Sequence, residues 1–191
     1  MIQVQKEALP RTLEEFLVWE PNDGYKYEWN DGELIKFTGM KKRQYYIYDV
    51  LNRLFFEKGY VRQGSFMAEP DVMLTGIQMR RPDIAYFTRD QIQRGRKGED
   101  VIPDFVVEVI SESDQSYKVE EKIVEYFKAG VKVVWNIYPE LEAVYVYTSR
   151  REVKICIESD VCSARPVLPE FEISVDAIFK EEITKIEMKE Q

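Results

Sequence analysis

The chain has 191 residues, 45% of them apolar, enough to bury a core without metal or disulfide staples. Its 27 basic and 35 acidic residues give a formal charge of −8, the wrong balance for an avid, nonspecific grip on nucleic acid. It has no histidine, which excludes Ser-His-Asp and Cys-His triads, histidine-ligated zinc and histidine general bases, and leaves chemistry to carboxylates, lysine, tyrosine, a thiol or a bound metal.

Thr12 to Glu15 has capping-box spacing ahead of Phe16 and Leu17 and predicts a short opening helix. Tyr25 to Trp29, then Asn30-Asp31-Gly32, then Glu33 to Phe37 reads as a hairpin, with Asp-Gly as its turn. Ile47, Val50, Leu51, Leu54 and Phe55 recur at helical spacing, and Gly59 stands where a helix cap belongs. Strands are expected at 61–68, 71–75 and 83–87, followed by a charged loop from about 88 to 103. Phe105 to Ile110 is a β-branched apolar run of the buried-strand type. Val119, Ile123, Tyr126 and Phe127 mark a helix closed by Gly130, and strands follow at 131–137, 143–147 and 153–157. Residues 105–137 thus form a βαβ unit, and a mixed sheet with helices on its faces is the simplest account.

With no repeat, low-complexity tract or linker, one domain over 1–191 is expected, its core at about 25–147 and 180–191 a helical or flexible tail. No apolar run nears the roughly 18 residues of a membrane span. The first 16 residues lack the pattern of a signal peptide, and Cys156 and Cys162 read as reduced thiols, so a cytoplasmic location is expected. Lys41-Lys42-Arg43, Arg80-Arg81 and Arg94-Gly95-Arg96-Lys97 are either local basic patches or ordinary solvated charge.

Three residues carry the chemical interest. Glu108 interrupts an apolar strand, where an unpaired carboxylate would cost several kcal/mol or shift its pKa, so a cation, an ion pair or a solvent-open edge must compensate. Asp83 follows Arg81-Pro82 and heads another apolar strand; it is either a turn-starting acid or, with Glu108, half of a pair able to share one divalent ion. Lys122 lies at the edge of the Val119–Ile123–Tyr126 stripe, placed to point inward beside the sheet or to snorkel to solvent.

The ordered series Tyr27-Glu28-Trp29-Asn30-Asp31-Gly32-Glu33, Arg81-Pro82-Asp83-Ile84-Ala85, Pro103-Asp104-Phe105-Val106-Val107-Glu108-Val109-Ile110-Ser111, Glu121-Lys122, Tyr126, Ala129-Gly130-Val131 and Trp135 resembles the PD-(D/E)xK nuclease superfamily, and more closely its Uma-two branch of restriction endonucleases. The resemblance implies a restriction-endonuclease-like α/β fold and phosphodiester hydrolysis of DNA assisted by Mg²⁺ or Mn²⁺. It implies Asp83 and Glu108 as metal ligands, with the Val109 carbonyl as a third. The superfamily lysine belongs two places after Glu108, where this chain has Ile110; Lys122, on the next helix, matches the branch. Glu33 corresponds to an additional N-terminal acid, or is a hairpin surface residue. A homodimer is implied by analogy with nucleases that cut both strands. Relatives often carry His where this chain reads Arg43-Gln44-Tyr45, Ser-Pro-Ser where it reads Ser111-Glu112-Ser113, and a pattern ending in Asp-Pro where it reads Asn136-Ile137-Tyr138-Pro139. These departures, with the net acidity, define the alternative: a catalytically inactive protein-interaction module with the same fold.

Overall fold

The computed structural model describes residues 9–180 apart from 113; the expected tail beyond 180 lies outside the described residues. Helix α1 (Leu13–Leu17) opens as its spacing requires, the Thr12 side chain accepting from the Glu15 amide. Strands β1 (Lys26–Asn30) and β2 (Glu33–Phe37) form the expected hairpin. Asp31 and Gly32 both take positive φ, 46° and 89°, the twist a two-residue hairpin turn needs. Helix α2 (Lys42–Glu57) buries Ile47, Leu51 and Phe55, and Gly59 follows it in the left-handed conformation.

The strand expected at 61–68 is shorter. A 3₁₀ turn occupies Tyr60–Arg62, and β3 spans Gly64–Ala68. A Cβ at Gly64 would run into the Phe87 carbonyl and the Tyr86 ring, so the close approach of β3 to its neighbour requires glycine there. Strands β4 (Val72–Thr75) and β5 (Gln78–Arg80) make a second hairpin, and β6 (Ile84–Thr88) begins one residue after Asp83. The charged stretch expected as loop contains α3 (Arg89–Gly95), whose reciprocal Thr88–Gln91 cap supplies local stability although no α3 residue is buried.

The βαβ unit is present: β7 (Phe105–Val109), α4 (Ser116–Ala129) and β8 (Val133–Tyr138), with β7 and β8 parallel. Gly130 closes α4 at φ 112°. Strands β9 (Ala143–Ser149), β10 (Glu152–Ile157), β11 (Val161–Ala164) and β12 (Leu168–Ser174) and helix α5 (Val175–Phe179) complete the described elements.

A six-stranded mixed sheet runs in the order β10-β9-β8-β7-β6-β3 and a four-stranded sheet in the order β2-β1-β5-β4. Because side chains alternate along a strand, the central strands feed two cores. Phe105, Val107, Trp135 and Ile137 pack with α2, α5 and β12 through Leu51, Phe55, Val175 and Phe171. Val106, Val134, Ala85 and Phe87 pack with Ile123 and Tyr126 of α4. The core therefore extends past residue 147, recruiting Leu168, Phe171, Val175 and Ile178. Cys156 and Cys162 are buried free thiols.

Candidate active site

Alternation along β7 settles which way Glu108 points. Phe105, Val107 and Val109 face α2, which leaves Val106 and Glu108 facing α4. Strands β6 and β7 are antiparallel with Ile84 opposite Val107, so the register carried one residue further sets Asp83 opposite Glu108. The two acids meet at one end of the sheet beside a cleft of about 730 Å³.

Each acid is held in place. The Asp83 carboxylate accepts from the Val109 amide at 2.7 Å and from the Gln44 side chain at 3.3 Å, and the same Gln44 amide donates to the Val109 carbonyl at 3.3 Å. Both Glu108 contacts end on Oε1: the Tyr126 hydroxyl donates at 2.5 Å and the Lys122 ammonium lies 3.3 Å away. Lys122, one turn before Tyr126 on α4, also reaches Glu28 of β1 at 2.9 Å. Its side chain is 25% exposed, so it points inward and does not snorkel.

Behind this pair lies a second set of buried charges. Arg80 of β5 is 2% exposed and is bracketed by Glu28 at 3.2 Å and Glu125 at 2.7 Å. Glu28 also accepts from the Arg81 amide at 2.9 Å. Arg80-Arg81 is therefore no solvated patch: its first member is an internal counter-ion, and Arg81 pairs with Asp71. Arg43 of the Lys41-Lys42-Arg43 cluster is engaged with Glu140 and the Pro139 carbonyl, and Lys41 lines the cleft.

Charges are unbalanced across this assembly. Four carboxylates, Glu28, Glu125, Asp83 and Glu108, contact or adjoin two cations, Arg80 and Lys122, so that full ionisation would leave two negative charges unmatched. The excess is felt at Glu125, whose carboxyl burial raises despite Arg80, and at the pair beside the cleft. Burial, then the neighbouring Glu108, pushes the Asp83 carboxyl up to about 8. Burial likewise raises Glu108, against the opposing pull of Lys122. Burial acts on Glu28 too, but Lys122 and Arg80 outweigh it and hold that carboxyl below its ordinary value. For Lys122 the attraction of Glu108 and Glu28 exceeds the effect of burial, so it stays firmly protonated.

The sequence-derived residues Asp83, Glu108, Val109 and Lys122 are thus brought together. Glu33 is not: its carboxylate is 58% exposed and pairs with Lys118 at 3.2 Å. The acid its hairpin delivers to the cluster is Glu28. Sequence reasoning gave no role at the site to Gln44, which contacts Asp83, or to Tyr126, which contacts Glu108. The signal for Glu28 was available: Tyr27 and Trp29 are both core, so the residue between them faces the opposite side.

Among the described residues no group of three or more His, Cys, Asp or Glu side chains forms a ready metal cluster. Two carboxylates and a carbonyl are nonetheless hard-oxygen donors of the kind Mg²⁺ accepts while keeping several water ligands. The residues present fit such an ion.

A mixed sheet with an acidic pair at the end of adjoining central strands and a lysine from the crossover helix defines a restriction-endonuclease-like protein. The profile of the Uma2 family, described as "Putative restriction endonuclease", matches residues 13–176, and the chain belongs to that family. Among solved structures it is similar to a putative nuclease belonging to DUF820 from Anabaena variabilis ATCC 29413, with a TM-score of 0.73 at 25% identity, covering 89% of this chain and 98% of that one. A search of curated proteins finds no match.

Proposed function

We propose that the protein is a metal-dependent nuclease that hydrolyses phosphodiester bonds of DNA with Mg²⁺ or Mn²⁺. The observation that carries this reading is the adjoining, under-neutralised pair Asp83 and Glu108 at an open cleft, in a chain of this family. Asp83, Glu108 and the Val109 carbonyl would hold the ion. When bound, it polarises the phosphate and lowers the pKa of an attacking water. The chain's own residues prepare that site. Gln44 and the Val109 amide fix Asp83, and Tyr126 fixes Glu108. Lys122 supplies positive charge beside the acids, where it offsets charge developing on the phosphorane. In a protein of net charge −8, contact with a polyanion would run through the ion and a few cations at the cleft, Lys41 among them.

A cytoplasmic location accords with two buried free thiols, and among the described residues no helix is long and apolar enough to cross a membrane. Cutting both strands of a duplex calls for two copies of the site, so a homodimer belongs to the same reading.

Incubation of supercoiled plasmid with the protein and Mg²⁺ tests the reading. Cleavage is expected from wild type and not from Asp83→Ala or Glu108→Ala. Cleavage by Glu108→Ala at the wild-type rate would overturn it. The second reading, an inactive interaction module, draws on the net charge of −8 and on Ile110 standing two places after Glu108. It predicts no cleavage by any form and no divalent-ion binding at the pair.

A further inference from the structure

Asn136 interrupts the apolar strand β8 much as Glu108 interrupts β7, and the two are direct partners in the parallel register. It is 1% exposed, and neither its Oδ1 nor its Nδ2 makes a hydrogen bond of full geometry; the Tyr138 hydroxyl, two residues on, is the polar group close enough to interact with the amide. Its neighbours explain the isolation. On one side stands Glu108, whose contacts go to Tyr126 and Lys122. On the other, opposite in the antiparallel register, stands Tyr145, its ring tilted against that of Tyr138 at a centroid distance of 4.7 Å. Val134, two residues earlier on the same face, belongs to the apolar core beneath α4. A buried amide with no hydrogen bond of full geometry costs stability that a leucine of similar size would not. Asn136 nevertheless lines the same cleft as Asp83, Glu108 and Lys122.

We propose that Asn136 is a positioning residue for the substrate, its Nδ2 amide donating to a non-bridging oxygen of the phosphate held at the Asp83–Glu108 site. The inference rests on the nuclease reading and adds a residue to it. The two acids can only accept hydrogen bonds when ionised, so a phosphate beside them needs donors from elsewhere. Lys122 is one, but it already faces Glu28 and Glu108. A neutral amide provides another without adding a buried charge. The last torsion of an asparagine side chain is broad, so the carboxamide can turn toward a ligand without moving β8.

Two titrations test this, using Mn²⁺ alone and then inorganic phosphate added to the Mn²⁺-loaded protein, with wild type, Asn136→Leu and Asn136→Asp. Mn²⁺ affinity is expected to stay within about threefold in Asn136→Leu, whereas phosphate affinity falls about tenfold, the scale of one lost hydrogen bond to a charged group. In Asn136→Asp phosphate binding should fall further, because a third acid repels the anion. Metal-free Asn136→Leu should melt at or above the wild-type temperature, which separates lost binding from lost folding. Phosphate affinity unchanged in Asn136→Leu, or wild type that binds Mn²⁺ but no phosphate, overturns the inference and leaves the nuclease reading standing. Wild type that binds no Mn²⁺ overturns both.

Discussion

Two pairs of buried acids adjoin one another and are partnered differently. Glu28 and Glu125 close on Arg80 from both sides, and Glu28 gains Lys122 and a backbone amide as well. Asp83 and Glu108 have dipoles, a tyrosine hydroxyl and a shared lysine, but no cation of their own. The first pair is an internal ion network whose carboxylates meet their counter-ions inside the chain. The second is left short of positive charge where the cleft opens. Burial alone does not distinguish structural acids from ligand-binding ones; the balance of charge around them does.

The comparison breaks most visibly at Arg80. Arg80→Met strands Glu125 without its counter-ion, leaves Glu28 with Lys122 alone, and should destabilise the protein by about 3–5 kcal/mol in urea unfolding, the range for breaking a buried pair from one side. A loss below about 1 kcal/mol would mean that the network is not what holds β5 to β1 and α4.

Asp83→Asn should act in the other direction. In metal-free protein at pH 7 it removes a buried acid whose ionisation the fold opposes, and stability is expected to rise by about 1–3 kcal/mol. The sign follows from linkage. The folded value, about 8, lies above the unfolded one, so the group's contribution is fullest below about pH 4 and is lost as the pH rises toward 8. That pH-dependent loss should vanish in Asp83→Asn.

Glu28 sharpens the contrast because its folded value is depressed. Its contribution is present above the unfolded value near 4.3 and is lost as the pH falls through the folded one. Glu28→Gln should therefore be less stable than wild type at pH 7, by about 1–2 kcal/mol, with melting curves converging toward pH 3. Divergence toward acid pH would contradict the assignment.

The smallest effect is expected at Tyr126→Phe, which deletes the 2.5 Å hydrogen bond to Glu108 and leaves the ring packed on β7. Mn²⁺ affinity should fall about threefold to tenfold, equivalent to roughly 1 kcal/mol, with little change in unfolding.

The parts of the fold that could be read in the sequence are those with strong periodicity. The Asp31-Gly32 hairpin, the apolar run at β7 and the Gly130-capped helix each carry a local signal that agrees with the tertiary outcome. Strand β5, at three residues, is too short to show a period, and Pro166 in the turn between β11 and β12 and Pro169 early in β12 obscure that pair in the sequence. Helix α3 buries nothing, so hydrophobic spacing could not reveal it, although the Thr88–Gln91 spacing could have. In the site, Asp83, Glu108 and Lys122 were readable because each disturbs a pattern. Glu28 and Asn136 disturb patterns in the same way, but their meaning depends on which strands become neighbours, which no local window contains.

The most direct test of the charge-deficient pair is calorimetric titration of Mn²⁺ at pH 7.5 into wild type and the Asp83→Asn/Glu108→Gln double variant. One site per chain in wild type, weakened at least about thirtyfold in the double variant, is the predicted result. Wild type that takes up no Mn²⁺, or a double variant that binds it equally well, would contradict the account.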